Sequence, residues 1–180
     1  MRKIVLTFGL IAGAILSLMM IVTISLTDKV GFDKGAIIGY TTMVLAFLMV
    51  FFGVKSYRDN VAGGRVSFGR AFTVGLLIMV IASACYVATW EVIYFNFASD
   101  FGEKYAAHVL EKAKQSGATE EQLAAQQQEM AKFQEMYKNP LVNIALTFLE
   151  PLPVGLLFVF FTAWFQSRKR PEPTPAPASA

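Results

Sequence analysis

Residues 71–96 read Ala71-Phe-Thr-Val-Gly-Leu-Leu-Ile-Met-Val-Ile-Ala-Ser-Ala-Cys-Tyr-Val-Ala-Thr-Trp-Glu91-Val-Ile-Tyr-Phe-Asn96. The stretch is uninterrupted by charge until Glu91, and it is too long and too apolar for a helix at the surface of a soluble domain. It is one of four such segments. The others run from Ile4 to Leu26, from about Ala36 to Val54, and from Leu141 to Phe165. As a helix the first would measure roughly 34 Å at ~1.5 Å per residue, enough for a hydrocarbon core of ~30 Å. Arg2 and Lys3 precede it in the manner of a signal peptide, but its length and the lack of an Ala-x-Ala site before Asp28 favour a retained helix.

A hydrophobic content of 55% over 180 residues exceeds that of an ordinary soluble domain and leaves room for one modest polar insertion. The expected fold is therefore an all-α membrane protein. It has four transmembrane helices (4–26, 36–54, 71–96 and 141–165) in one domain, 1–168, followed by a Pro/Ala-rich tail, 169–180. The tail alternates prolines from Pro171 onward, which favours extended, solvated chain. The net charge of +3 does not point to nucleic acid, because the cationic residues sit beside the apolar segments without a groove-reading motif. With Cys85 as the only cysteine, no intramolecular disulfide, zinc knuckle or redox pair can be built.

Basic residues set the orientation. Arg2, Lys3, Lys55, Arg58, Arg65, Arg70, Arg168, Lys169 and Arg170 fall on one side, whereas the long connection 97–140 dilutes five lysines among seven acids. The positive-inside rule puts both termini in the cytoplasm and the connection 97–140 outside. That connection carries Phe101, Tyr105, Val109 and Ala113 at four-residue spacing, then Gly117, then a capping-box pattern of Thr119 with Gln122. Leu123, Met130 and Tyr137 follow seven apart, with Phe133 between them. A short extracytoplasmic helical hairpin between the third and fourth transmembrane helices is expected, either as a spacer or as a docking surface for a partner.

The cytoplasmic loop Phe52-Gly53-Val54-Lys55-Ser56-Tyr57-Arg58-Asp59, with Gly63-Gly64-Arg65-Val66-Ser67-Phe68-Gly69-Arg70-Ala71-Phe72 and Gly75, resembles the signature of a bacterial membrane family, domain of unknown function 4199. Ile38-Gly39-Tyr40, the aromatic end of the third span and the acidic helical connection extend the likeness from Met1 to about Arg168. Ser99-Asp100-Phe101 stands where Pro-Asp-Phe is expected. The resemblance implies a bacterial inner-membrane protein and carries over no functional residue. Read physically, Gly63 and Gly64 permit positive φ in the turn, and Ser67 is placed to cap a helix starting near Phe68. Arg58, Arg65 and Arg70 would lie at headgroup level as contacts for anionic lipid.

Function is sought in the polar residues inside the spans. Gly9, Gly13 and Ser17, Gly35 and Gly39, and Ala84 and Ala88 have the small-residue spacing of helix–helix faces, so Glu91 is expected to face protein. Asn143, Thr147 and Glu150 share one face of the fourth span. Pro151 and Pro153 free the carbonyls of Thr147 and Leu149 beside Glu150. At helical rise Glu91 lies roughly 9 Å and Glu150 roughly 14 Å from the outer ends of their spans, with Tyr40, Thr41 and Thr42 at similar depth. An isolated pair of ionised carboxylates is untenable there, so protonation, a cation or water must relieve the charge.

Glu91, Glu150, Asn143, Thr147 and Tyr40 thus form a candidate intramembrane proton or cation site, or else interhelical hydrogen-bond glue. His108, the only histidine, stands beside Tyr105 and Glu111 on a solvated helix, and Cys85 and the tryptophans Trp90 and Trp164 read as packing and interfacial anchors. Enzymatic chemistry, a cofactor and a bound metal are not expected. The expected partners are the lipid bilayer and a membrane protein or a second copy of the chain. Two functions follow: a structural or accessory component presenting its hairpin to a partner, or a small oligomeric proton- or cation-coupled transport-like protein.

Overall fold

The computed structural model describes residues 1–168, and these contain no strand. The elements are α1 (Arg2–Ser25), the single turn α2 (Thr27–Val30), α3 (Phe32–Asn60), α4 (Phe68–Asn96), α5 (Phe101–Gln115), α6 (Glu120–Tyr137), α7 (Pro140–Leu149) and α8 (Leu152–Gln166). By length and composition α1, α3 and α4 can each cross a membrane. The pair α7 and α8, bent by 41° at a short break, passes the same test together, which makes three spans or up to four. The proline-rich tail expected over 169–180, with Lys169 and Arg170, lies outside the described residues.

The α3–α4 turn follows from its glycines. Gly63 and Gly64 take φ of 67° and 85°, which side chains with a Cβ rarely adopt, and the Gly64 amide donates to the Arg58 carbonyl at 2.9 Å to close the end of α3. Ser67 is extended and α4 begins at Phe68, although the Ser67 side chain makes no capping bond. The core lies between α1, α3, α4 and α8, filled by Met43, Phe47, Val50 and Val54 of α3, Val74 and Ile78 of α4, and Val159 of α8.

Helix α1 lies tight against α4 because Gly9 and Gly13 carry no side chain. A Cβ on Gly9 would stand 2.8 Å from the Ile81 Cβ, and one on Gly13 would stand 2.6 Å from the Cys85 Cβ. Ser17 continues this face, accepting from the Thr89 hydroxyl at 2.7 Å. Because α1 approaches through Ile81, Cys85 and Thr89, Ala84 and Ala88 turn outward and are exposed. The expectation that this alanine pair marks an interior face is corrected: spacing alone does not select a face, and the buried small residues of α4 are Ala71, Gly75, Ala82 and Ser83.

Between α4 and α7 the chain forms two helices that pack on each other. Thr119 and Gln122 make a full capping box at the start of α6, with bonds of 3.3 and 2.9 Å. Gln134 Nε2 donates to the Gly102 carbonyl at 2.9 Å and ties α6 to α5. Helix α5 is held to the start of α3 by Lys112 Nζ on Asp33 Oδ1 at 2.8 Å, and by Phe32 against the rings of Phe101, Tyr105 and His108.

Candidate functional site

Pro140 occupies the first turn of α7, where its missing N–H costs nothing, and Asn139 Oδ1 caps the helix by accepting from the Leu141 amide at 3.0 Å. Eleven residues later Pro151 ends it, for proline has no N–H to give the Thr147 carbonyl. The Glu150 amide reaches that carbonyl at 3.4 Å instead, and α8 restarts with Gly155 donating to the Pro151 carbonyl at 2.8 Å. Glu150 therefore stands at the corner of the bent pair, where its side chain leaves the helix surface and is exposed.

That corner opens on a half-open cavity of about 650 Å³ lined by residues of α1, α3, α4, α5, α6 and α7. Its wall is largely apolar and aromatic: Leu16, Met19, Met20 and Ile24 from α1, Ala36 and Met43 from α3, Trp90 and Tyr94 from α4, Phe101 and Tyr105 from α5, and Met130, Phe133 and Tyr137 from α6. Gly35 and Gly39 also line it, and a Cβ on Gly39 would meet nothing within 4 Å. Gly39 leaves space rather than seating a neighbouring helix, whereas a Cβ on Gly35 would stand 3.6 Å from Thr23 Cγ2 of α1. The polar end consists of Tyr40, Thr42, Thr147 and Glu150, with Tyr86 donating its hydroxyl to Glu150 Oε2 at 2.8 Å. Among the described residues, no lysine, arginine or histidine lines the cavity.

Above Glu150 the polar face of α7 makes a closed hydrogen-bond cluster. Trp90 Nε1 donates to the Tyr137 hydroxyl at 2.9 Å and to Asn143 Oδ1 at 3.1 Å. The Thr147 hydroxyl donates to Asn143 Oδ1 at 3.2 Å and stands 3.2 Å from the Tyr137 oxygen, and Asn143 Nδ2 donates to the Tyr137 carbonyl at 3.4 Å. Asn143 is fully buried. One cluster thereby joins α4, the C-terminal end of α6 and α7. Burial pushes the Tyr137 phenol above its ordinary titration range.

The five residues proposed from sequence separate into three places. Asn143 and Thr147 belong to the cluster, whereas Thr147, Glu150 and Tyr40 face the cavity. Glu91 does not line the cavity, and its enclosed Oε1 has no hydrogen-bond partner among the described residues. The reason is helical: Tyr86, which holds Glu150, is five residues from Glu91 and therefore about 140° around α4 at ~100° per residue. Among the described residues no group of three or more His, Cys, Asp or Glu side chains is placed to hold a metal ion.

Of the three arginines assigned to lipid, Arg65 and Arg70 are exposed in and beside the turn. Arg58 is buried, bonded through Nε to Asp59 Oδ1 at 2.7 Å and through Nη1 to Gln166 Oε1 of α8. It is withdrawn from the headgroup surface because the last turn of α3 packs against the end of α8. Sequence reasoning passes over Tyr86, and it reads Trp90 as an anchor and Tyr137 as part of an apolar spacing rather than as site residues. Tyr86, Trp90 and Tyr94 recur every four residues on one face of α4, an aromatic stripe that marks the cavity wall.

No curated protein and no solved structure matches the chain. The family model described as protein of unknown function (DUF4199) matches residues 7–168, nearly the whole described chain, and the protein belongs to that family.

Proposed function

We propose that this is a structural or accessory protein of the bacterial inner membrane, with no enzymatic activity, that holds α5 and α6 at the extracytoplasmic surface for a protein partner. In this reading the bent α7–α8 pair is a fourth crossing, and both termini are cytoplasmic. One observation carries it: the polar face of α7 is consumed in fastening α6 to the bundle through Trp90, Tyr137, Asn143 and Thr147. A spacer has no use for such a clamp. A presenting surface does, since pre-organisation lowers the ordering cost of binding. Among the exposed residues of α6 are the polar Gln127, Gln128 and Glu129, together with Phe133 and Met136.

The experiment is a photo-crosslinking amino acid placed at Gln127 in living cells, with the outward-facing Leu157 as the lipid-side control. A discrete protein adduct from position 127 and none from 157 is expected. Only lipid or no adduct from position 127 would remove the reading. The transport-like alternative keeps one observation in its favour, the Glu150 side chain facing the cavity beside Tyr86. A shared site of two glutamates is not part of it, because Glu91 lies elsewhere.

A further inference from the structure

We propose that the cavity between α1, α3, α4 and α7 is a binding site for a lipophilic organic cation, with Glu150 as its counter-charge. The proposal concerns the purified chain alone and does not rest on the partner reading above.

Size is the first argument. A cavity of about 650 Å³ lies within the ~300–1,000 Å³ range of small-molecule sites, and it is far larger than a proton or a bare metal ion requires. The wall is the second. A largely apolar and aromatic wall carries a single carboxylate, Glu150, at its polar end, which is the arrangement that suits a hydrophobic body carrying one positive centre. Trp90, Tyr94, Phe101 and Tyr105 line the space, and aromatic rings attract a nearby cation through their quadrupole.

Charge is the third argument and selects the class. Among the described residues Glu150 is the one acidic side chain lining the cavity, and no basic side chain lines it to receive a phosphate or a carboxylate. An acidic amphiphile would therefore enter against like charge without compensation. Tyr86 donates to Oε2 and so holds the carboxylate as an acceptor, orienting it toward the space rather than occupying it with an ion pair. Gly39 keeps the α3 wall open, since nothing stands within 4 Å of where its Cβ would be.

The test uses the full chain in nanodiscs of zwitterionic lipid, titrated calorimetrically against empty discs. The probes are tetraphenylphosphonium and tetraphenylborate, which have nearly the same size and shape and opposite charge. Saturable binding of tetraphenylphosphonium, none of tetraphenylborate, and a loss of about tenfold or more in Glu150→Gln are expected, the scale of one lost charge-assisted contact. Gly39→Leu, which fills the cavity without meeting a neighbour at its Cβ, is expected to abolish binding while melting at or above the wild-type temperature. This second variant decides the matter even if Glu150→Gln fails to fold. No binding of tetraphenylphosphonium to wild type, equal binding of both probes, or unchanged binding in Gly39→Leu would each overturn the proposal.

Discussion

Replacing Asn143 by leucine removes a fully buried side chain that takes part in three hydrogen bonds, to Trp90, to Thr147 and to the Tyr137 carbonyl. Leucine has a similar volume, so the change tests polarity more than packing. Buried side-chain hydrogen bonds of this kind contribute roughly 0.6–1 kcal/mol each, which gives about 2–3 kcal/mol for the three. The lower end is expected. Trp90 Nε1 keeps the Tyr137 hydroxyl at 2.9 Å and Thr147 keeps the same oxygen at 3.2 Å, so neither donor is orphaned. The assay is reversible unfolding in mixed micelles, followed by far-UV circular dichroism. Trp90→Phe and the double variant complete a cycle whose coupling should be about 1 kcal/mol, because Trp90 and Asn143 bond directly. A loss under about 0.5 kcal/mol in Asn143→Leu, with no coupling to Trp90→Phe, would refute the clamp, since that is the scatter of independent sites.

Three further outcomes follow from the same geometry. Glu91→Leu should stabilise the protein by about 1 kcal/mol in that assay, since it removes an enclosed oxygen that has no partner. Gly13→Ala should cost about 1–3 kcal/mol, because the added Cβ would lie 2.6 Å from the Cys85 Cβ, whereas Gly39→Ala, with open space around it, should be neutral or stabilising. Tyr137 titrates above the ordinary value of 10.0 because it is buried, so the folded state holds its proton more tightly than the unfolded state does. Its contribution is complete below about pH 10 and falls as pH rises through the folded value, and Tyr137→Phe should lose that alkaline component in a stability titration.

Local chemistry was the legible part of the sequence. The apolar runs located α1, α3 and α4, the glycine pair located the α3–α4 turn, and Thr119 with Gln122 located the start of α6. Pro151 and Pro153 read as freeing two carbonyls within one continuous span, 141–165, whereas the chain breaks there into α7 and α8. What could not be read was which residues meet across the bundle. The Tyr86–Glu150 bond spans 64 positions and the Trp90–Asn143 bond spans 53, and no periodicity within one helix specifies its rotation against another. The same gap put Ala84 and Ala88 on the wrong face and left open whether Glu91 and Glu150 meet. It also left Arg58 among the lipid contacts, although α8 covers it. The cavity, being a product of five or more helices, has no sequence signal beyond the aromatic stripe of α4.

Whether α5 and α6 stand on the outer face of the membrane is read most directly by cysteine labelling in intact cells. Cys85→Ala supplies the background, and the exposed Gln127 and Asn60 are replaced singly by cysteine. A membrane-impermeant maleimide should label Gln127→Cys in intact cells and Asn60→Cys only after permeabilisation. Labelling of both before permeabilisation, or of Asn60→Cys alone, would contradict an extracytoplasmic pair of helices clamped to a bundle whose turn is cytoplasmic.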